Sequence, residues 1–309
     1  EPDDVIALLI LSRYMINKNI AFIVGEGSSI IKSSRMSVYV QLMQISECMI
    51  IKGYDSDKDY EYDGYDVLSK KSIEQLREID SKQKKNYDST HAQILHILEF
   101  NPIIIMMKPP RELVELFLKN KNIFKNTMMF LYGGFNIRCL FGKYSKDTIK
   151  EFISSFKGVI FYESFFAIGE ANNINNIDIN FDCMPDYLLD LIEKWNISIN
   201  SYCKNVVANT NNLEVIKRNN KIIDSIEKSR GRQFVDADCG MVLTMLSNIP
   251  YEYCYPCNID FDENNYSVIK KNDNSNILVV NPDDANKEKL KNDHIEYLNR
   301  FFKNIKIEK

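Results

Sequence analysis

The sequence predicts an α/β protein in which helices cover both faces of one open, mostly parallel sheet. Three observations carry this. Short apolar runs such as residues 20–24 and 102–107 have strand length, and each stops at a turn-forming group: Gly25-Glu26-Gly27 after the first, Lys108-Pro109-Pro110 after the second. Between such runs lie longer segments with apolar residues at helical spacing. No internal repeat or long linker interrupts the alternation, so residues 1–309 read as a single domain of Rossmann-like organisation.

The elements follow in order. Residues 5–14 read as a helix opened by Asp3-Asp4, because carboxylates in a first turn complement the helix dipole. Residues 20–24 form a buried strand, 35–44 a helix and 49–52 a short strand. The stretch 53–66, rich in Tyr and Asp, has loop character. Apolar spacing makes 72–79 and 90–100 helical, and 102–107 a strand that turns at Pro109-Pro110 into a helix over 111–119. A buried strand at 127–132 closes at Gly133-Gly134, followed by a helix at 148–156 and a strand at 159–163. Residues 185–196 form an amphipathic helix that carries the single Trp, Trp195, as a core residue. Another helix begins at 241–246, two late strands occupy 266–270 and 277–281, and a charged helix over 287–302 closes the chain.

Composition narrows the function. Acids and bases nearly balance at a formal charge of -4, so no polyanion-binding surface is implied and nucleic acid is not an expected partner. The longest apolar runs, such as Ile103-Ile104-Ile105-Met106-Met107, are too short to span a bilayer, and no signal-peptide pattern is visible. Seven scattered cysteines point to reduced thiols in a cytoplasmic setting. Cys254-Tyr255-Pro256-Cys257 has CxxC spacing, yet no second pair accompanies it for zinc and no strand-to-helix context for redox work.

In open α/β sheets, ligands bind beyond the carboxyl ends of the strands. Here Gly25-Glu26-Gly27, Lys108-Pro109-Pro110, Gly133-Gly134, Glu163 and Asp238 all fall at such ends. Each has a plain structural alternative: tight turns for the glycines, strand termination for the prolines, a helix cap for the Asp. Asp3 and Asp4 equally suit a helix cap or an ion site. Taken together these residues outline an acidic, oxygen-rich pocket suited to a hard cation such as calcium.

At these residues the chain resembles the nucleoside hydrolases (N-ribohydrolases). Asp3-Asp4-Val5-Ile6-Ala7-Leu8 is similar to the end of that family's Asp-rich amino-terminal motif. The strand at 103–107, Pro109-Pro110-Arg111-Glu112-Leu113 and Phe130-Leu131-Tyr132-Gly133-Gly134 resemble its middle section, and Ala237-Asp238-Cys239-Gly240-Met241-Val242 its carboxyl-terminal motif. The closing strand and terminal helix are similar as well, so the resemblance spans most of the chain.

The resemblance implies hydrolysis of the N-glycosidic bond of a nucleoside or related riboside, with bound Ca2+ and an activated water, in purine and pyrimidine salvage. Position by position it implies Asp4, Asp238 and the main-chain carbonyl of Met107 as calcium ligands, with Asp3 facing the ribose. Glu26 stands where the family has Asn, as a substrate contact. Glu170-Ala171-Asn172 resembles the Glu-x-Asn ribose signature, with Asn173 an equal candidate for the amide, and Glu163 is within reach of the pocket by its strand-end position. The reaction needs an activated water, groups that stabilise an oxocarbenium-like transition state, and help for the departing base. The resemblance expects the catalytic Asp a few residues before Glu1, and dimers or tetramers as the assembly.

Two departures open an alternative. Ala237 replaces the leaving-group His of some members, and His91, His96 and His294 lie outside the matching motifs, the first two on a helix. Tyr251, Tyr253 and Tyr255 serve either as aromatic surface for a base or as structural tyrosines. The alternative is a catalytically altered, nucleoside-hydrolase-like binding or interaction protein. A third class is a glycosidase that pairs Glu163 with Glu170.

Overall fold

The computed structural model describes residues 2–14, 18–25, 27–45, 47–56, 67–83, 86–133, 144–163, 186–211, 213–228, 254–261 and 267–280, together with helical positions 241–242, 245–246, 289, 292–293, 296–297 and 300. The chain runs α1 (Pro2–Tyr14), β1 (Ile20–Val24), α2 (Ser29–Leu42), β2 (Cys48–Lys52), α3 (Lys70–Lys82), α4 (Asp88–Leu98), β3 (Ile103–Met106) and α5 (Arg111–Lys119). It continues through β4 (Met128–Gly133), α6 (Lys146–Ser154), β5 (Gly158–Glu163), α7 (Asp186–Ala208), α8 (Leu213–Lys228), β6 (Cys254–Phe261), β7 (Ser267–Lys271) and β8 (Ile277–Val280).

Among the described residues the strands form two sheets. β1 and β2 pair in parallel, with Ile20 opposite Cys48. The second sheet has the order β3-β4-β5-β8-β6-β7. Its first four strands are mutually parallel, and β6 runs antiparallel to both of its neighbours. The mostly parallel α/β fold expected from the sequence is therefore present.

Burial on both faces explains why these strands read as unbroken apolar runs. Met129, Leu131, Val159, Phe161, Ile277 and Val279 join one core cluster, while the alternate residues Phe130, Ile160 and Val280 join another. On the first face α5 and α6 supply Phe117 and Phe152, which meet edge to face at 5.8 Å. Phe124 and Phe156 complete that layer by stacking at 4.5 Å. A third cluster is built on α1. All seven residues from Val5 to Leu11 are buried, as a helix apolar on every side must be. They pack with Met43, with Leu191 and Ile192 of α7, and with Val242.

Four differences from the sequence reading have local causes. Helix α2 starts six residues earlier than the expected 35, because Ser28 caps it by accepting the Ile31 N–H at 3.3 Å. It stops before Gln44, whose φ of 55° leaves the helical region. Helix α7 runs on to Ala208, past the expected end at 196, and is joined by the unforeseen α8. Asn and Ser between residues 196 and 205 interrupt the pattern of α7, and α8 is amphipathic but polar-rich. Cys203, Ile223 and Ile226 are buried, and Lys204 Nζ bridges the pair to Glu227 at 2.8 Å.

Strand β6 was also unforeseen, because Pro256 argues against an interior strand. The structure accommodates it at a handover. Cys254 to Pro256 pair with β8, and Cys257 to Phe261 pair with β7. No described helix is long and apolar enough to cross a membrane.

Candidate functional site

The carboxyl ends of β1 and β2, which pair in parallel, meet the Lys108-Pro109-Pro110 turn that follows β3, and it is at such strand ends that open α/β sheets bind ligands. The loops there are tied to one another. The Gly53 N–H donates to Val24 O at 2.6 Å, and Ser56 N–H donates to Gly27 O at 3.2 Å. In return, Gly27 N–H donates to Ser56 Oγ at 2.7 Å. Asp55 Oδ1 accepts the Ser29 N–H at 2.6 Å, satisfying an orphan donor at the start of α2 and complementing its dipole. Gly25 is required by this approach, since a Cβ there would sit 2.6 Å from the Tyr54 carbonyl oxygen.

Beneath these loops lies Glu112, in the first turn of α5 and only 1% exposed. Its Oε1 accepts the Tyr54 N–H at 2.5 Å and its Oε2 accepts from Lys108 Nζ at 2.8 Å. Lys108 Nζ also donates to Pro109 O at 2.9 Å. A carboxylate this buried is tolerable only when paired and hydrogen-bonded, and removing one partner of such a pair typically costs about 3–5 kcal/mol. Gly53 makes room for it, because a Cβ at that position would overlap Glu112 Oε1.

A polar network continues outward from Tyr54. Its ring lies 4.2 Å from that of Tyr87, whose hydroxyl donates to Asp55 Oδ2 at 3.2 Å. Tyr54 Oη and His91 Nε2 are 2.7 Å apart, and Lys119 Nζ is 3.2 Å from His91 Nδ1. An ammonium only donates, so Nδ1 accepts, and Nε2 carries the proton that it gives to Tyr54 Oη. Burial, and then the Lys119 charge, hold the His91 pKa below its ordinary value, which keeps this tautomer neutral. Burial and the Glu115 carboxylate push the Tyr54 hydroxyl up to about 12.

Of the sequence-assigned residues, Asp4 is half-buried in the first turn of α1, one residue before the buried run. Met107 follows β3 directly and packs against the α1 cluster, which also contains Val242, four residues beyond Asp238. Glu163 ends β5 at the same edge, its backbone paired with Gly133. Asp3 lies in α1. The side chains of Asp3 and Glu163, and all of Glu26, Glu170, Asn172, Asn173 and Asp238, lie outside the described residues, as do Ala237, His294, Tyr251 and Tyr253. Among the described residues no three His, Cys, Asp or Glu side chains are grouped to hold a metal ion.

The sequence reading missed Glu112, Tyr54, Asp55 and Tyr87, and treated His91 as a plain helix residue. The one available signal was the Lys108–Glu112 spacing across the Pro-Pro turn, which places opposite charges one helical turn apart. Tyr255 is structural: it packs against the buried cluster under β6.

The CxxC pair is no chelating site. Cys257 is fully buried on one face of the sheet, while Cys254 packs against the cluster on the other. Burial pushes both thiols up to about 12, far from the thiolate that metal binding or redox work needs.

The architecture is that of an α/β protein with a mostly parallel sheet, and its fold is nucleoside-hydrolase-like. A solved structure, "Inosine-Guanosine Nucleoside Hydrolase (IG-NH)", is similar to this chain with a TM-score of 0.51 and 12% sequence identity, over 96% of this chain and 95% of that one. No family model and no curated protein sequence matches the chain.

Proposed function

We propose that this protein is a nucleosidase, hydrolysing the N-glycosidic bond of a nucleoside or related riboside with the help of a calcium ion. The likeness in fold to an inosine-guanosine nucleoside hydrolase, nearly end to end in both chains, carries the reading. Support comes from the packing of Asp4's helix, Met107 and Val242 about one cluster.

Asp4, Asp238 and the Met107 carbonyl would hold the ion. All three are oxygen donors, which suits calcium and not a thiophilic metal. Of the two carboxylates only Asp4 is among the described residues. Bound calcium would lower the pKa of a coordinated water. The chain's own residues bind and orient the sugar. Asp3, Glu163 and Glu170 supply negative charge as the ribose becomes oxocarbenium-like, Asn172 and Asn173 hold its hydroxyls, and Glu26 meets the substrate from the β1 loop. Ala237, at a position where some nucleoside hydrolases carry His, favours a second reading: a protein that binds ribosides without turnover.

Calorimetric titration with calcium and ribose, followed by a reducing-sugar assay on a panel of nucleosides, tests both. Calcium uptake that is abolished by Asp4→Ala and by Asp238→Ala is the expected result. Steady ribose release excludes the second reading. A protein that takes up no divalent cation overturns the calcium site.

A further inference from the structure

One buried carboxylate holds three strand ends together. Through Oε2 and Lys108, Glu112 folds the Lys108-Pro109-Pro110 turn back on itself, immediately after Met107. Its Oε1 holds Tyr54, and so the loop that follows β2. That loop in turn fixes the end of β1 through Val24 O, Gly27 and Ser29. Two glycines clear the way for these contacts, Gly53 against Glu112 and Gly25 against Tyr54.

We infer that Glu112 is a positioning residue that sets the spacing between the Met107 carbonyl and the Gly25–Gly27 loop. That the two sides flank a calcium and riboside pocket rests on the function proposed above. The position of Glu112 between them does not.

Glu112→Asp keeps the charge but is one methylene too short to reach both Tyr54 N and Lys108 Nζ. Gly53→Ala leaves the carboxylate intact and displaces it. Glu112→Gln keeps an oxygen for the Tyr54 N–H but turns a donor NH2 toward Lys108 Nζ, so it separates the Tyr54 contact from the Lys108 ion pair. Hydrogen exchange at the Gly27 and Ser29 amides is expected to rise about ten-fold or more in the Asp and Ala variants. Exchange at Phe130 and Leu131 in β4 should hold, and Gly27 and Ser29 should stay protected in the Gln variant.

In calcium titrations, Glu112→Asp is expected to weaken Kd about ten-fold with the number of sites unchanged, as outer partners of metal ligands do. A merely structural role would instead lower the number of sites and leave Kd alone. Unchanged exchange at Gly27 and Ser29 overturns the inference, and so does a rise that extends to β4. A local rise with unaltered calcium Kd overturns the link to the pocket. If the unaltered protein takes up no calcium, the proposed function fails, and the exchange measurement still decides the role of Glu112.

Discussion

Cys254 and Cys257, three residues apart in β6, face opposite sides of the sheet. The strand's two-residue period sends them into different core clusters, and neither can approach a common ion. A motif that suggests chemistry in one dimension is separated by the pleat in three.

The first prediction follows from their burial. In native protein near pH 8 neither thiol should react with an alkylating reagent, since both are held up to about 12. After denaturation both should react fully. Peptide mass spectrometry of the labelled protein reads this directly, and labelling of Cys257 without unfolding would contradict the placement.

Phe152 lies at the centre of the aromatic layer, fully buried and in edge-to-face contact with Phe117, Phe124 and Phe156. Phe152→Ala should cost about 3–5 kcal/mol of stability through lost transfer energy and the cavity it leaves. Urea unfolding followed by circular dichroism measures it.

The neutral state of His91 makes stability depend on pH. Its folded pKa lies below the ordinary 6.5, so the unfolded chain takes up the proton more readily. The contribution is complete above that ordinary value and is lost below it, as pH falls through the lowered folded value. Between about pH 8 and about pH 5, thermal midpoints of the native protein should fall more than those of His91→Gln, which cannot titrate.

Asp260 is held well below the usual carboxylate range by Lys150 at 3.0 Å, by the Phe261 N–H at 2.9 Å and by Lys270 at 3.2 Å. Its contribution is present above the ordinary 3.8 and vanishes as pH falls through the lowered value. The carboxylate is 39% exposed, so solvent and salt screen it. Asp260→Asn should cost only about 0.2–1 kcal/mol at neutral pH, with the difference shrinking as salt is added. Chemical denaturation at two ionic strengths gives the comparison.

Sequence legibility followed burial and periodicity. The strands β1, β3, β4, β5 and β8 announced themselves because they are apolar on both faces and end at Gly, Pro or acidic residues. Helix α5 was legible residue for residue, between Pro110 and Asn120. Helix α8 and strand β6 were not, because polar-rich composition and Pro256 each outvoted the burial that tertiary packing supplies. Asp4 and Met107 are assigned from motif and strand-end placement alone, and they enter only the proposed function. Glu112 was not legible, since its significance lies in the Tyr54 N–H, far away in the chain, and no local pattern encodes that meeting.

The absent side chain at Gly53 also has a bearing on ancestry. Because Glu112 Oε1 occupies the space a Cβ would need, the two positions form one heritable unit despite their separation in the chain. A descendant that gains any side chain at 53 must displace, shorten or lose the acid at 112, and must also ease the 3.0 Å approach to the Val24 carbonyl oxygen. Covariation of these two columns among related sequences would record that constraint, whatever substrate each relative has come to accept.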